Sequence, residues 1–367
     1  MVRKNNLGNV SLYNELFTTP KADEIFSDEF HIRRILEVEL AISEAQSKIG
    51  LIPKEAYRQI RKALKKTQIK KNILLKSLKT SGVIIPGILN LLRNNLSQKY
   101  SNYLHMGVTS QDIIDTALIL QLREAVAIIT SQIKMTANNL LILSEKHEHT
   151  LMFARTRGQQ ASVTSFGFKS ANWAAPLIRN IDRINTMIQN KLFTLQLGGP
   201  VGNLSAFGNK GLYLQKEVCK ILNLSVPDIP WHAQRDYLVD ISNWLALVTS
   251  SLGKIAADLI FLSSSEVKEI SFKNSGKSSS MPHKSNSIIP ELILSIARIN
   301  AGNISTIHNS TLHLNERGGD SLFMEWHTLP QMVKLCSASL MHTETCLKNI
   351  NINEDRMIKT LNLSNGL

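Results

Sequence analysis

The sequence predicts an all-α protein built as a bundle of long helices, and three observations predict it. First, Leu238, Ile241, Leu245, Val248, Leu252, Ile255, Leu259 and Leu262 step alternately by three and four residues, the spacing of a coiled-coil seam. Second, an apolar pattern of helical period starts at Thr109 and runs through Leu118, Leu122, Val126, Ile129 and Ile133 toward Leu143. That is far longer than an ordinary globular helix. Third, the apolar–polar alternation of a strand is nearly absent. At 367 residues the chain can bury a large core, in one elongated domain or a few compact ones. It is divided into a small N-terminal helical domain over 1–104, a central long-helix domain over 105–350 and a short C-terminal segment over 351–367.

Taken in order, Ser27-Asp28-Glu29 caps a helix that runs through Ile32, Ile35, Leu36, Val38, Leu40 and Ile42 toward Gly50. Ile52-Pro53 opens another, and Gly82, Pro86 and Gly87 punctuate before a run over Ile88–Leu96. Thr109-Ser110-Gln111-Asp112 is a helix start, a hydroxyl cap followed by an acid in the first turn. Gly198, Gly199 and Gly202 interrupt the next helical runs and allow close backbone approach, which serves a tight turn or a ligand equally well. The seam from Leu238 ends near Ser263-Ser264-Ser265. A serine-rich loop follows, and Asn286 is positioned as the N-cap of the apolar run Ile288, Ile289, Leu292, Ile293 and Ile296. Two further helical runs cover roughly 287–312 and 322–349.

Composition narrows the class. A hydrophobic content of 43% with 19% charged residues fits an ordinary globular protein. Cys219, Cys336 and Cys346 are odd in number and lack metal or redox spacing, which predicts a reducing cytoplasm and no metal. The opening MVRKNNLGNV has no apolar core of a signal peptide, and no run approaches the ~18 apolar residues of a membrane span. The net charge of +13 invites a nucleic-acid reading. Much of the excess lies in Arg58–Lys79, however, where apolar residues at helical spacing put the lysines on a solvated face. No zinc-finger or aromatic-basic motif accompanies it, and a small polyanionic substrate accounts for a positive field as well. No nucleic-acid or membrane partner is expected.

The chemistry concentrates in Gly276–Glu291, GKSSSMPHKSNSIIPE. A hydroxyl-rich loop, a fixed cation and a helix N-terminus in that order suit an anion. A serine in that positive field could act as a base. The pattern SSxMPxKxN, carried by Ser278, Ser279, Met281, Lys284 and Asn286, resembles the shared loop of the fumarase/aspartase superfamily. HMGVTSQD at 105–112 resembles that superfamily's HxGxTSxD block. On that resemblance His105, Thr109 and Ser110 enter the site, the hydroxyls as ligands for a substrate carboxylate. LGGPVGN and PWHAQRD, the latter with Gln234 and Arg235 as site residues, are similar to segments of 3-carboxy-cis,cis-muconate cycloisomerases within the superfamily. So is NERGGDSLFMEW at 315–326.

RTRGQQ at 155–160 departs from every branch. Adenylosuccinate lyases and fumarases have a histidine where this chain has Arg157, and the cycloisomerases have tryptophan. Arginine cannot shuttle a proton at neutral pH but can clamp a carboxylate through two N–H groups. Arg157 and Gln160 are therefore expected to bind substrate. By analogy with the histidine-bearing relatives, Arg157 is expected to pair with Glu291 close to the site. The resemblance implies cycloisomerisation of a small tricarboxylate, 3-carboxy-cis,cis-muconate, to a carboxymuconolactone in aromatic-compound degradation, without metal or organic cofactor. Ser278, Lys284 and Asn286 would be the catalytic residues. It also implies a homotetramer with shared sites, since the long apolar seams call for partners, and a third family domain missing beyond 351–367. The alternatives are an adenylosuccinate lyase-like C–N lyase and an inactive lyase fold. Lys277, Ser285-Asn286-Ser287 and Arg157 depart from the family pattern and favour the inactive fold, whereas Ser278, Lys284, Asn286 and Glu291 oppose it.

Overall fold

The computed structural model describes residues 12–273, 276–277, 281 and 285–363, the side chains of Lys277 and Ser285 excepted. After a 3-10 turn at Leu12–Leu16 come short helices: α1 (Pro20–Ile25), α2 (Asp28–Lys48), α3 (Lys54–Lys66), α4 (Lys71–Ser81), α5 (Ile85–Arg93) and α6 (Gln98–Ser101). Ser27 caps α2 by accepting from the Phe30 N–H, as its position predicts. α5 begins one turn earlier than the glycines suggest, because Pro86 is tolerated in a first turn, where its missing N–H costs nothing.

The long elements follow. α7 (Ser110–Lys146) leads into a hairpin of β1 (Leu151–Thr156) and β2 (Gln159–Ser165), then α8 (Phe166–Gln189), α9 (Gly211–Leu222) and α10 (Asp236–Leu262). Strand β3 (Ile270–Phe272) and the two-residue strands β4 (Gly276–Lys277) and β5 (Ser285–Asn286) precede α11 (Ile288–Asn309). α12 (Gly319–Asn349), β6 (Ile350–Ile352) and α13 (Glu354–Asn362) complete the chain. The fold is helical, with three small antiparallel additions: β1–β2, β3–β6 and β4–β5.

Side-chain bonds give the direction of each long helix. Arg235, just before α10, binds Asp115 in the second turn of α7, and Glu325 near the start of α12 joins them. At the opposite end, Glu269 beyond α10 binds Arg155 beyond α7, and β6 beyond α12 pairs with β3. So α7, α10 and α12 run in parallel. α8 returns alongside them, with Ser170 near its start bonded to the Leu140 carbonyl, and α11 returns between α10 and α12. α10 and α11 approach so closely that a Cβ on Gly253 would lie 2.6 Å from the Ala297 Cβ.

The seam on α10 is fully covered within this one chain. Leu238, Ile241, Leu245, Val248, Leu252, Ile255, Leu259 and Leu262 are each at most 2% exposed and belong to the bundle core. The expectation that this seam must find a second subunit is therefore corrected: α8, α11 and α12 already supply the partners. α10 is also the one described helix long and apolar enough to cross a membrane, contrary to the count of apolar runs, but its apolar face lies in the core. A second core unites α2, α3 and α5 with the start of α7 and with α9, so residues distant in sequence complete the N-terminal lobe. Cys219, Cys336 and Cys346 are buried and unpaired. Burial pushes the Cys219 and Cys346 thiols up to about 12, which leaves them unreactive.

Candidate active site

The N-terminus of α7 is the best-defined polar centre. Thr109 is its N-cap in extended conformation and forms a capping box with Asp112. Asp112 does more than cap. Its Oδ2 accepts from the Thr109 and Gly199 N–H groups at 2.9 and 3.0 Å, and its Oδ1 from the Gly198 N–H and His232 Nε2, each at 2.8 Å. One buried carboxylate thereby ties the TSQD turn, the GGP turn and the PWH segment together. The glycine at 199 is required there, with φ at 76° and a would-be Cβ 2.9 Å from the Gly107 carbonyl. The ambiguity of the glycine cluster resolves toward a turn built against the site.

Above this floor the Thr109 and Ser110 side chains are half-buried at the end of a 37-residue helix, whose first N–H groups favour an anion. Arg317 reaches in from the loop before α12, one nitrogen donating to Thr109 Oγ1 at 3.1 Å and the other to the Pro200 carbonyl at 3.0 Å. His105 stands four residues earlier with φ at 62°, its Nδ1 2.6 Å from Glu39 Oε1. This assembly of helix N-terminus, hydroxyls and guanidinium can hold a carboxylate. Gln234 is exposed two residues beyond His232.

Arg235 does not face a ligand, and its assignment as a substrate-binding residue is corrected. It is 2% exposed and closed in by two carboxylates: Asp115 at 2.7 and 2.9 Å, and Glu325 at 2.8 and 2.5 Å. Burial opposes its charge, but those two carboxylates hold its pKa above the ordinary arginine value. Sequence proximity to the PWH segment singled out an arginine that the fold buries between two carboxylates. Arg317 is the exposed one, and its signal was its place in the NERGGDSLFMEW segment, which resembles one of the cycloisomerases. Asp112 and His232 were likewise quoted in their motifs without being recognised as the frame of the site.

The second group lies far away. Thr156 and Gln159 pair across a two-residue turn, Arg157-Gly158, with φ at 52° and 79°, the left-handed pair of a type I′ hairpin. Arg157 and Gln160 are both exposed there. The hairpin leaves from the C-terminal end of α7, where the Gly167 N–H bonds the His147 carbonyl. With 37 residues in α7, it stands on the order of 55 Å along the helix from Thr109. Within one chain the two groups do not meet.

The third group is the loop stem near the hairpin end. Ser278, Ser279 and Lys284 lie outside the described residues. Met281 is exposed. Asn286 does not cap α11, as its sequence position suggests; it pairs with Gly276 in the β4–β5 ladder, and Ser287 takes the N-cap position. Glu291 is exposed in the first turn of α11, with Ser287 Oγ 3.4 Å from its Oε1. The expected Arg157–Glu291 pair is not made within this chain. Among the described residues no group of three or more His, Cys, Asp or Glu side chains converges as a metal ligand set.

Residues 16–301 match the lyase family model. The chain is 33% identical to 3-carboxy-cis,cis-muconate cycloisomerase of Acinetobacter baylyi over 97% of its own length and 80% of the relative's. It is 32% identical to the N-acetyl-S-(2-succino)cysteine lyase of Dickeya dadantii, over 96% and 78% of the two lengths. The solved structure of β-carboxy-cis,cis-muconate cycloisomerase from Acinetobacter calcoaceticus superposes with a TM-score of 0.89 at 31% identity, covering 97% of this chain and 81% of that one. With the lyase model spanning most of its length and relatives at least 30% identical matched over nearly all of this chain and about four-fifths of their own, the chain belongs to the lyase family of the fumarase/aspartase superfamily.

Proposed function

We propose that this lyase-family chain is a cytoplasmic 3-carboxy-cis,cis-muconate cycloisomerase. The observation that carries the reading is the likeness to 3-carboxy-cis,cis-muconate cycloisomerases, 33% identity over 97% of the chain, and the residue that adds a cation for a tricarboxylate is Arg157. It occupies a left-handed conformation that costs a non-glycine residue on the order of 1 kcal/mol, it is exposed, and it has no ion pair among the described residues. A permanently charged fork presented in this way suits a substrate carboxylate and does not suit proton transfer.

In the proposed reaction a carboxylate oxygen of the substrate bonds to one carbon of a C=C. The π electrons move to the neighbouring carbon as an aci-carboxylate, which then accepts a proton. Lys284, Asn286 and the N-terminus of α11 stabilise that charge, the largest contribution in such chemistry, and Ser278 exchanges the carbon-bound proton. Thr109, Ser110 and Arg157 hold the other carboxylates. Arg317 takes the cation role that sequence alone assigned to Arg235.

The long separation of the hairpin from the Thr109 end supports sites assembled from several subunits of a homotetramer. The apolar side chains left for such contacts include Leu141, Ile142, Phe168, Leu247 and Phe261, each at least 40% exposed. Aspartate at Leu247 and Phe261 should break assembly, and a monomer by light scattering for the unmodified chain sinks the shared-site arrangement. The function is tested by incubation with 3-carboxy-cis,cis-muconate, following loss of diene absorbance. Because a succinocysteine lyase is equally similar, N-acetyl-S-(2-succino)cysteine is the parallel substrate, and turnover of that alone overturns the cycloisomerase reading.

A further inference from the structure

The loop that carries Arg317 into the pocket runs from the end of α11 to Gly318, the N-cap of α12. Apolar packing does not hold it: Leu312 and Leu314 are each 72% exposed, and Asn315, Glu316 and Arg317 are exposed as well. Among the described residues, three side-chain hydrogen bonds reach residues 314–319. Two are those of Arg317 itself, and in the third the Gly318 N–H donates to His313 Nδ1 at 3.0 Å.

His313 thus closes the loop on itself. Gly318 returns so near the start that a Cβ there would lie 3.2 Å from the Leu314 nitrogen and 3.4 Å from the His313 Cα. Asn315, between them, takes a left-handed φ of 53°. The bond fixes the amide one residue from Arg317 and so sets where that side chain starts. From there the guanidinium spans Thr109 Oγ1 and the Pro200 carbonyl.

A backbone N–H only donates, so His313 Nδ1 is the bare nitrogen and the ring's proton sits on Nε2. Burial and the Arg235 guanidinium lower the His313 pKa below the ordinary value, against the pull of Asp115 and Asp320. The ring is therefore neutral at pH 7, with its lone pair available to Gly318. Nε2 is itself buried and has no hydrogen-bond partner. That bare donor opposes folding, so stability alone does not account for the ring.

We infer that His313 is a positioning residue for the proposed reaction: by accepting from the Gly318 N–H it clasps the 313–318 loop and holds the Arg317 guanidinium on Thr109, where a substrate carboxylate would bind. This rests on the Thr109–Arg317 pocket being the substrate site proposed above. It needs an acceptor at the Nδ1 position and no proton transfer. His313→Asn, whose amide oxygen stands about where Nδ1 does, keeps that acceptor, and His313→Leu removes it.

Hydrogen exchange read by mass spectrometry tests the clasp without substrate. In His313→Leu the 314–319 segment should exchange about tenfold faster, whereas His313→Asn should keep its protection. On 3-carboxy-cis,cis-muconate, KM should rise about three- to tenfold in His313→Leu, the usual effect of losing one hydrogen bond. kcat should stay within about twofold, and His313→Asn should keep KM near the unmodified value. In an Arg317→Lys background His313→Leu should add no further rise in KM, because the fork that the clasp positions is already lost. A structural role alone would lower the denaturant midpoint and leave KM where it was. That result, unchanged exchange in His313→Leu, or a full KM rise in the Arg317→Lys background overturns the inference. So does His313→Asn behaving as His313→Leu does. Absence of turnover in the unmodified protein counts against the proposed substrate, and exchange in the two variants still decides the clasp.

Discussion

His232 Nε2 donates to Asp112 Oδ1 at 2.8 Å in a fully buried pair beneath the N-terminus of α7. The same carboxylate takes three backbone N–H groups, one from its own turn and two from the GGP turn, so it is the joint on which the Thr109 pocket is assembled. Asp112→Asn turns one acceptor oxygen into a donor that faces N–H groups. Leaving these unsatisfied should cost about 3 kcal/mol, read as a lower denaturant midpoint, with loss of activity. An unchanged midpoint would show that the turns hold their shape without the carboxylate.

Arg235 makes a different prediction from the one its motif suggested. Arg235→Met leaves Asp115 and Glu325 buried near each other without a counter-charge, and unfolding free energy should fall by roughly 3–5 kcal/mol. Adding Asp115→Asn and Glu325→Gln should restore much of the loss. If Arg235→Met raises KM while the urea midpoint stays put, the residue binds substrate after all.

Arg317 and Arg157 should behave as ligand residues. Arg317→Lys cannot span Thr109 Oγ1 and the Pro200 carbonyl together, and KM for a tricarboxylate should rise about tenfold, equivalent to one good charge-assisted bond. Arg157→Lys should raise KM in the same way, while Arg157→Met leaves stability within about 0.5 kcal/mol, as for an exposed surface position. A large stability loss from Arg157→Met would mean that the arginine serves a partner subunit's Glu291. Arg157→His that gains adenylosuccinate cleavage would mark a damaged lyase.

Three histidines set a pH dependence. Burial lowers the pKa of His31, His147 and His313 below the ordinary value of 6.5. Each therefore binds a proton more readily in the unfolded chain. Stability from these groups is fully present above pH 6.5 and is lost as pH falls through their depressed folded values. Calorimetry should show a level Tm from pH 8 to about 6.5 and a decline toward pH 5. His31 is half-buried and lends its Nδ1–H to Gln121 Oε1 at 2.8 Å. His31→Gln should flatten the slope, and a Tm independent of pH over this range would contradict the assignment.

Much was legible in the residues alone. The helix starts at Ser27 and Thr109, the long runs of α7 and α10 and the TSQD block all follow from local patterns, because capping and amphipathic period are properties of neighbouring residues. The hairpin at 151–165 was missed, although a glycine turn between Thr- and Val-bearing runs was its signal. Its strands carry few buried side chains, so the alternation was faint.

The sequence by itself determined the helical class, the family motifs and the identity of the polar residues that any site would use. Only the tertiary structure decided which of those residues share a place. It put Arg235 between two carboxylates and Arg317 on Thr109, covered the α10 seam within the chain, and set Arg157 at the far end of α7 from the pocket. The physical reason is that charge pairing and burial depend on contacts between residues ninety or more positions apart. A buried arginine and a ligand-facing one have the same local sequence chemistry and differ only in which distant carboxylate or hydroxyl the fold brings to them.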